Sequence, residues 1–380
     1  MPQRTLESRA VTPDTLARLI DRHVADGWFD GAALAIVRGD TTLFERFSGH
    51  AARGLPAGPR VLWPLASITK LFTAAAVMRL VELGELTVNT PVWQVLPDFT
   101  GEGREDVRVR HLITHTSGLP YESPAMGALL AAHTSVEALI DEAYRAPLQF
   151  APGTRFQYSD YAYGLAGRVS ATVTGVAYPE AVRALVLEPM GLENTFMLPA
   201  EGGVGRVANV RGVFNDGTDG AMYNSVYGRS LAHPAFSAVS SLHDMVRFLG
   251  HFAPGGPRVL SEATVRAMTS LQTGGAPGEH PLIDGFPTNA RIPWGFGFAL
   301  QTEEAPAVFA DLASFATFGH PGASGCQIFV DPLADLLIVL LTNTHILIGR
   351  DTWLRRQQEL LNAAFTLEIQ TATAGGPTIS

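Results

Sequence analysis

Apolar positions along the chain change their rhythm from one region to the next. A segment from about Pro13 to Asp26 carries the amphipathic spacing of a helix, and Ala32 to Arg38 and Thr41 to Phe47 then read as two β-rich runs separated by Gly39-Asp40, a hairpin signal. From Ser67 onward, Ile68, Leu71, Phe72, Ala75, Met78 and Val81 follow the helical period and Gly84 supplies a stop, which predicts a buried helix starting at Ser67. Between about 91 and 292 the pattern is helical pieces and Pro/Gly loops such as "FAPGTRF" and "HFAPGGPRVL", with little alternation. Strand character returns at Trp294 to Gln301, Phe315 to Gly319, Gln327 to Val330 and Leu336 to Thr342, the last two joined by a turn over 331–335. The longest apolar run, Leu336 to Leu341, reads as a buried strand. A helix from about Asp351 to Phe365 follows, and the closing TATAGGPTIS reads as a disordered tail.

Hairpins near both ends with a helical middle predict an α/β fold: one antiparallel sheet assembled from both termini, sandwiched by the terminal helices, with an inserted helical lobe. The expected division is 1–90 with 293–380 as the sandwich lobe and 91–292 as the insertion, with a site between them walled by the loops at about 121–135 and 210–235.

Composition narrows the function. With 380 residues and 46% hydrophobic content the chain can bury a large core, and a formal charge of −9 argues against a nucleic-acid partner. Cys326 is the single cysteine, so no intrachain disulfide or multi-cysteine metal site is available. No signal-peptide pattern opens the sequence and no apolar run reaches membrane-spanning length, so a cytoplasmic protein without membrane partners is expected.

Of the 27 basic residues, only Lys70 is a lysine. Arginine serves as well on a surface, whereas lysine alone can be desolvated into a neutral base. A helix beginning near Ser67 puts the Ser67 hydroxyl and the Lys70 amine on one face. Ser67 could instead be a helix cap and Lys70 a solvated cation, but a cation in a first helical turn faces the positive end of the helix dipole, and rule-breaking residues gather at functional sites.

Further along stand Tyr158-Ser159-Asp160 and His320-Pro321-Gly322. Taken alone, Tyr158 could simply precede a helix capped by Ser159 or Asp160, and His320 could be a buried strand-end histidine. Together with Ser67-Ile68-Thr69-Lys70 they resemble the S-x-x-K, Y-x-N and K/H-x-G motifs of the serine β-lactamase and penicillin-binding-protein superfamily. "VRHLITHTSGLP" and "GELTVNTPVWQVLPDF" are similar to its class C β-lactamase-related branch, which includes esterases and D-amino-acid peptidases. The resemblance spans about residues 30 to 345. It implies Ser67 as nucleophile, Lys70 as its activating amine, Tyr158 as proton shuttle, and the backbone N–H groups of Ser67 and Ala323 as oxyanion donors. It also implies substrate-binding positions at Asp160, His320 and Gly322, a small ester, amide or lactam substrate, and no cofactor.

Two departures bear on substrate. Asp160 stands where the family has asparagine; its carboxylate would hold Lys70 as an ammonium and shift proton abstraction toward Tyr158. His320 stands where many β-lactamases have lysine, and Pro321 removes a hydroxyl and a backbone donor, which disfavours a carboxylate-bearing lactam. A serine hydrolase, most plausibly a carboxylesterase on small acyl esters, is therefore the leading expectation. β-Lactam or D-peptide cleavage, or a catalytically silent binding protein on the same fold, are the alternatives. Other constellations fail: Gly322-Ala323-Ser324-Gly325-Cys326 misses a G-x-S-x-G elbow by one place, and His111 and His115, spaced four apart, lack an acidic third ligand, so no metal site is expected.

Overall fold

The computed structural model describes residues 11–212, 221–279, 290–303, 309–348 and 350–367. The C-terminal tail and parts of the 210–235 and 91–292 segments fall outside them.

Helix α1 (Pro13–Ala25) begins where Thr12 accepts the Thr15 N–H and proline occupies the first turn, and it buries Leu16, Ile20 and His23. Seven strands form one antiparallel sheet: β1 (Gly31–Arg38), β2 (Thr41–Ala52), β3 (Leu55–Pro56), β4 (Ala299–Leu300), β5 (Phe318–Pro321), β6 (Gln327–Asp331) and β7 (Leu336–Thr342). Their order is β3-β2-β1-β7-β6-β5-β4, so the first and last strands lie side by side at its centre, with Leu34 opposite Leu340 and Ala35 opposite Val339. Both central strands are apolar on both faces, and the period of two divides them cleanly. Leu34, Ile36, Ile338 and Leu340 pack with α1 and with Leu360, Leu361 and Ala364 of helix α4 (Arg350–Phe365). Ala33, Ala35, Val339 and Leu341 face the opposite way, where the helix Leu242–Gly250 packs on β1, β6 and β7, and they belong to the larger core that also contains helix α2 (Thr69–Glu82). The predicted α/β sandwich with an inserted helical lobe is the observed architecture.

Two strands depart from their expected bounds, the one expected over 294–301 being shorter and the one expected over 315–319 starting later and running on to Pro321. Over 294–301 only Ala299–Leu300 joins the sheet, because Gly297, at φ +96°, turns the chain so that the Gly295 N–H meets Phe298 O at 2.8 Å. β5 starts at Phe318 because the Asp331 carboxylate accepts from the Ser314 N–H (2.6 Å) and hydroxyl (2.7 Å), tying the preceding loop to the turn after β6. The helical lobe also holds a small sheet missing from the sequence reading, in which Trp63–Pro64 and Thr195–Phe196 both pair with Val239–Ser240. These two-residue strands are too short to show alternation.

The expected cytoplasmic location is withdrawn. No helix among the described residues is long and apolar enough to cross a membrane. That property suits secreted, periplasmic and cytoplasmic proteins alike.

Candidate active site

The small sheet delivers the chain to Ser67. Leu65 N–H donates to Ala238 O at 2.9 Å, and Ala238 N–H donates to Thr69 Oγ1 at 2.9 Å, clamping the intervening turn from both ends. That turn is a 3-10 segment, Ala66–Ile68, and α2 proper begins at Thr69, two residues later than predicted. Ala66 takes φ +46°, a left-handed conformation uncommon for a residue with a Cβ, immediately before the serine. Ser67 is left half-buried while Lys70, one turn on, is fully enclosed.

The Lys70 Nζ lies 3.0 Å from Ser67 Oγ, 3.0 Å from Ala235 O and 2.7 Å from Asp160 Oδ1. Burial pushes the amine below the ordinary lysine value; the Asp160 carboxylate opposes this without cancelling it. The expectation that Asp160 touches Lys70 holds, but the direction of the shift favours the neutral amine more than the sequence suggested.

Asp160 reaches Lys70 because helix α3 (Asp160–Thr174) starts beside it. Ser159 is the N-cap, its Oγ accepting the Ala162 N–H at 3.1 Å and donating to Pro120 O at 2.7 Å. Asp160 is the first helical residue, where the helix dipole favours an anion, and its N–H donates to Tyr121 O at 2.8 Å. Tyr158 precedes this cap. Its hydroxyl faces the Ser67 side chain, which acts to lower its pKa, and Lys70 Nζ sits 4.7 Å from its ring centre. Burial first, and then Asp160, raise the Tyr158 pKa well above the ordinary tyrosine value, so this group rests as a phenol. The sequence argument that Tyr158 would carry more of the proton abstraction is therefore opposed by its surroundings.

On the opposite side, β5 ends against the serine turn. A Cβ on Gly322 would sit 2.2 Å from Leu65 O, so glycine is what lets the strand come this close. Ala323 packs in one cluster with Ala66, Val210 and Tyr223. His320 is buried, with Nδ1 2.6 Å from Pro321 O. A carbonyl only accepts, so Nδ1 carries the proton and Nε2 presents a lone pair. Burial, reinforced by the Lys70 charge, lowers the His320 pKa to about 3, leaving the ring neutral.

Ser67, Lys70, Tyr158 and Asp160 thus meet directly, faced by His320 on β5 and by Gly322 and Ala323 in the turn that follows it. Three further participants were missed. The Ala235 carbonyl has no sequence signature at all. Glu122 is half-buried with its pKa raised to about 7, by burial, then by Asp160. His115, read only as half of a spaced pair, lies stacked against Tyr158 at 4.1 Å. Its helix ends at Ile113, so the four-residue spacing does not put it beside His111, whose Nδ1 instead accepts the Arg108 N–H. Cys326 is buried and its thiol is pushed up to about 11 by burial, as suits an inert packing residue.

A family model described as Beta-lactamase matches residues 16–361. Esterase EstB of Burkholderia gladioli is 31% identical over 359 residues, covering 87% of this chain and 90% of that protein. Penicillin-binding protein 4 of Amycolatopsis lactamdurans is 31% identical over 331 residues, covering 82% and 80%. Among solved structures, EstCE1, described as a hydrolase with promiscuous acyltransferase activity, superposes with a TM-score of 0.75 at 22% identity, covering 93% of this chain and 98% of that one. That last likeness bears on fold alone.

Proposed function

Because the chain belongs to the β-lactamase family, within a superfamily of serine hydrolases that spans β-lactamases, esterases and DD-peptidases, we propose that it is a carboxylesterase that cleaves small acyl esters through an acyl-enzyme on Ser67. The observation that carries this reading is the convergence of Lys70 Nζ, at 3.0 Å, and the Tyr158 hydroxyl on the same Ser67 Oγ.

In the proposed cycle the neutral Lys70 amine takes the Ser67 proton as Oγ attacks the ester carbonyl. The Ser67 and Ala323 amides receive the oxyanion. As the tetrahedral intermediate collapses, the leaving alkoxide takes the Tyr158 proton, and the Lys70 ammonium returns one to Tyr158, so that both groups are reset. Water then attacks the acyl-Ser67 ester by the same route in reverse. Asp160 and the Ala235 carbonyl hold the amine in place and stabilise its charged form between the two steps.

The choice of ester over lactam rests on His320. A neutral ring that offers a lone pair gives a substrate carboxylate no cation to pair with, and Pro321 offers no N–H. Esterase EstB, 31% identical, is consistent with this preference.

The test is to compare turnover of a short-chain p-nitrophenyl ester with that of a chromogenic cephalosporin. Ester turnover exceeding cephalosporin turnover is expected. A folded protein that cleaves the cephalosporin faster contradicts the ester preference, and one that turns over neither substrate and forms no adduct is a binding protein on this fold.

A further inference from the structure

His115 makes three separate contacts with the segment that carries Tyr158. Its carbonyl accepts the Gln157 N–H at 2.8 Å, and its ring Nδ1 accepts the Ser159 N–H at 3.0 Å. The amides on either side of Tyr158 are therefore both held by one residue. The imidazole also lies against the phenol ring, with centres 4.1 Å apart and planes 25° from parallel.

The surroundings leave the imidazole little freedom. Tyr163, Trp294 and Phe156 enclose it at ring-centre separations of 5.0, 5.2 and 5.7 Å, and the residue is fully buried. The backbone adopts φ +58°, a left-handed conformation that is uncommon for non-glycine residues. It is this turn out of the preceding helix that brings carbonyl and ring to the same strand of chain.

The hydrogen bond from Ser159 fixes the tautomer. Nδ1 is an acceptor, so the ring proton is on Nε2, and protonating Nδ1 would break the contact with Ser159. Burial, then the Lys70 and His320 charges, keep the ring neutral, and the other titratable groups facing it, Tyr158 and Tyr163, are phenols whose pKa values are raised. A phenylalanine here would keep the stack and lose the acceptor; an asparagine would keep an acceptor and tolerate the left-handed backbone, but lose the stack.

We infer that His115 is a positioning residue for Tyr158: by bracketing its neighbours' amides and stacking beneath its ring, it sets the height and tilt at which the phenol hydroxyl meets Ser67 Oγ. This rests on the acyl-transfer reading above. His115 touches neither Ser67 nor the substrate in this role, and its effect is on geometry. Misplacing a reacting group by about 1 Å can cost on the order of 100-fold in rate.

The experiment compares wild type with His115→Phe and His115→Asn, measuring kcat and KM for a short p-nitrophenyl ester from pH 5 to 10, melting temperature, and the rate at which a fluorophosphonate labels Ser67. The expected result is a loss in kcat of about 10–100-fold in both variants with KM within about threefold, a slower labelling rate, and a displaced pH–rate profile. If one variant fails to fold, the other, which preserves the feature the first removes, carries the test. Folded variants with wild-type kcat and an unmoved pH profile would overturn the positioning role while leaving the serine-hydrolase reading intact. A wild type that neither labels nor turns over would overturn both.

Discussion

On the helical side of the site, Ser67, Lys70, Asp160 and Tyr158 engage one another through side chains, with the Lys70 amine 3.0 Å from Ser67 Oγ and 2.7 Å from Asp160 Oδ1. On the strand side, from His320 to Ala323, Pro321 has no N–H and the Gly322 N–H is bonded to Cys326 O, which leaves the Ala323 amide and a neutral ring whose proton is spent on Pro321 O. The first side is a set of mutually dependent charges in a buried place, where each pKa depends on its neighbours. The second is a shape, set by how closely β5 approaches the serine turn. Replacing a side chain on the helical side should alter chemistry, and replacing one on the strand side should alter fit or preference.

The strongest way to break that contrast is Lys70→Arg, which keeps the charge but removes an amine able to deprotonate. We expect a loss in kcat/KM of about 10²–10⁴-fold, the span associated with a general base, with the melting temperature changing far less than activity. A rate near wild type would place Lys70 with the structural residues. On the strand side, Gly322→Ala must push a Cβ away from Leu65 O, 2.2 Å distant in the present backbone. The expected cost is about 1–3 kcal/mol of stability, read from denaturant melts, together with reduced ester turnover as β5 backs away from Ser67.

The difference between the two sides also explains what the sequence could reveal. Ser67 and Lys70 were legible because one helical turn joins them, and Tyr158 and His320 because side-chain motifs recur in a fixed order. The unbroken apolar run of β7 and the helical stripe of α1 were legible for the same kind of reason, since the pattern of apolar positions reports burial directly. Backbone groups carry no such label, so Ala235 O, the partner of Lys70, was invisible. Asp160 was identified, yet the sign of the Lys70 shift depends on how deeply the pair is buried, which spacing alone does not convey. The role of His115 was not legible, because its helix ends at Ile113 and the left-handed turn that carries its ring to Tyr158 leaves no periodic trace. The shortened β4 shows the same weakness at Gly297, whose positive φ breaks an otherwise strand-like run.

A subtler test concerns preference. His320→Lys places a cation where a neutral lone pair stands, and should raise cephalosporin turnover relative to ester turnover by about tenfold, the scale of one charge-assisted hydrogen bond of ~1.5 kcal/mol. An unchanged ratio would remove His320 from the basis of the substrate preference.

The smallest effect is expected at Glu122, whose pKa lies at about 7. As the pH rises through that value, Glu122 becomes an anion near Asp160 and Lys70. Its charge stabilises the Lys70 ammonium, raises the amine's pKa and delays formation of the neutral base. Glu122→Gln removes this opposition, so the acid limb of the kcat/KM profile should move to lower pH by less than about one unit. A shift to higher pH would mean that the carboxylate does not act through Lys70.

The central claim is that Ser67 is acylated with Lys70 as the group that takes its proton. Rapid mixing with p-nitrophenyl acetate, acid quenching and peptide mass analysis would follow this step in wild type, Ser67→Ala and Lys70→Arg. One acetyl group is expected on the Ser67 peptide of the wild type, none in Ser67→Ala, and acetylation slowed by about 10²-fold or more in Lys70→Arg. Acetylation elsewhere in the chain, or an equal rate in wild type and Lys70→Arg, would contradict it.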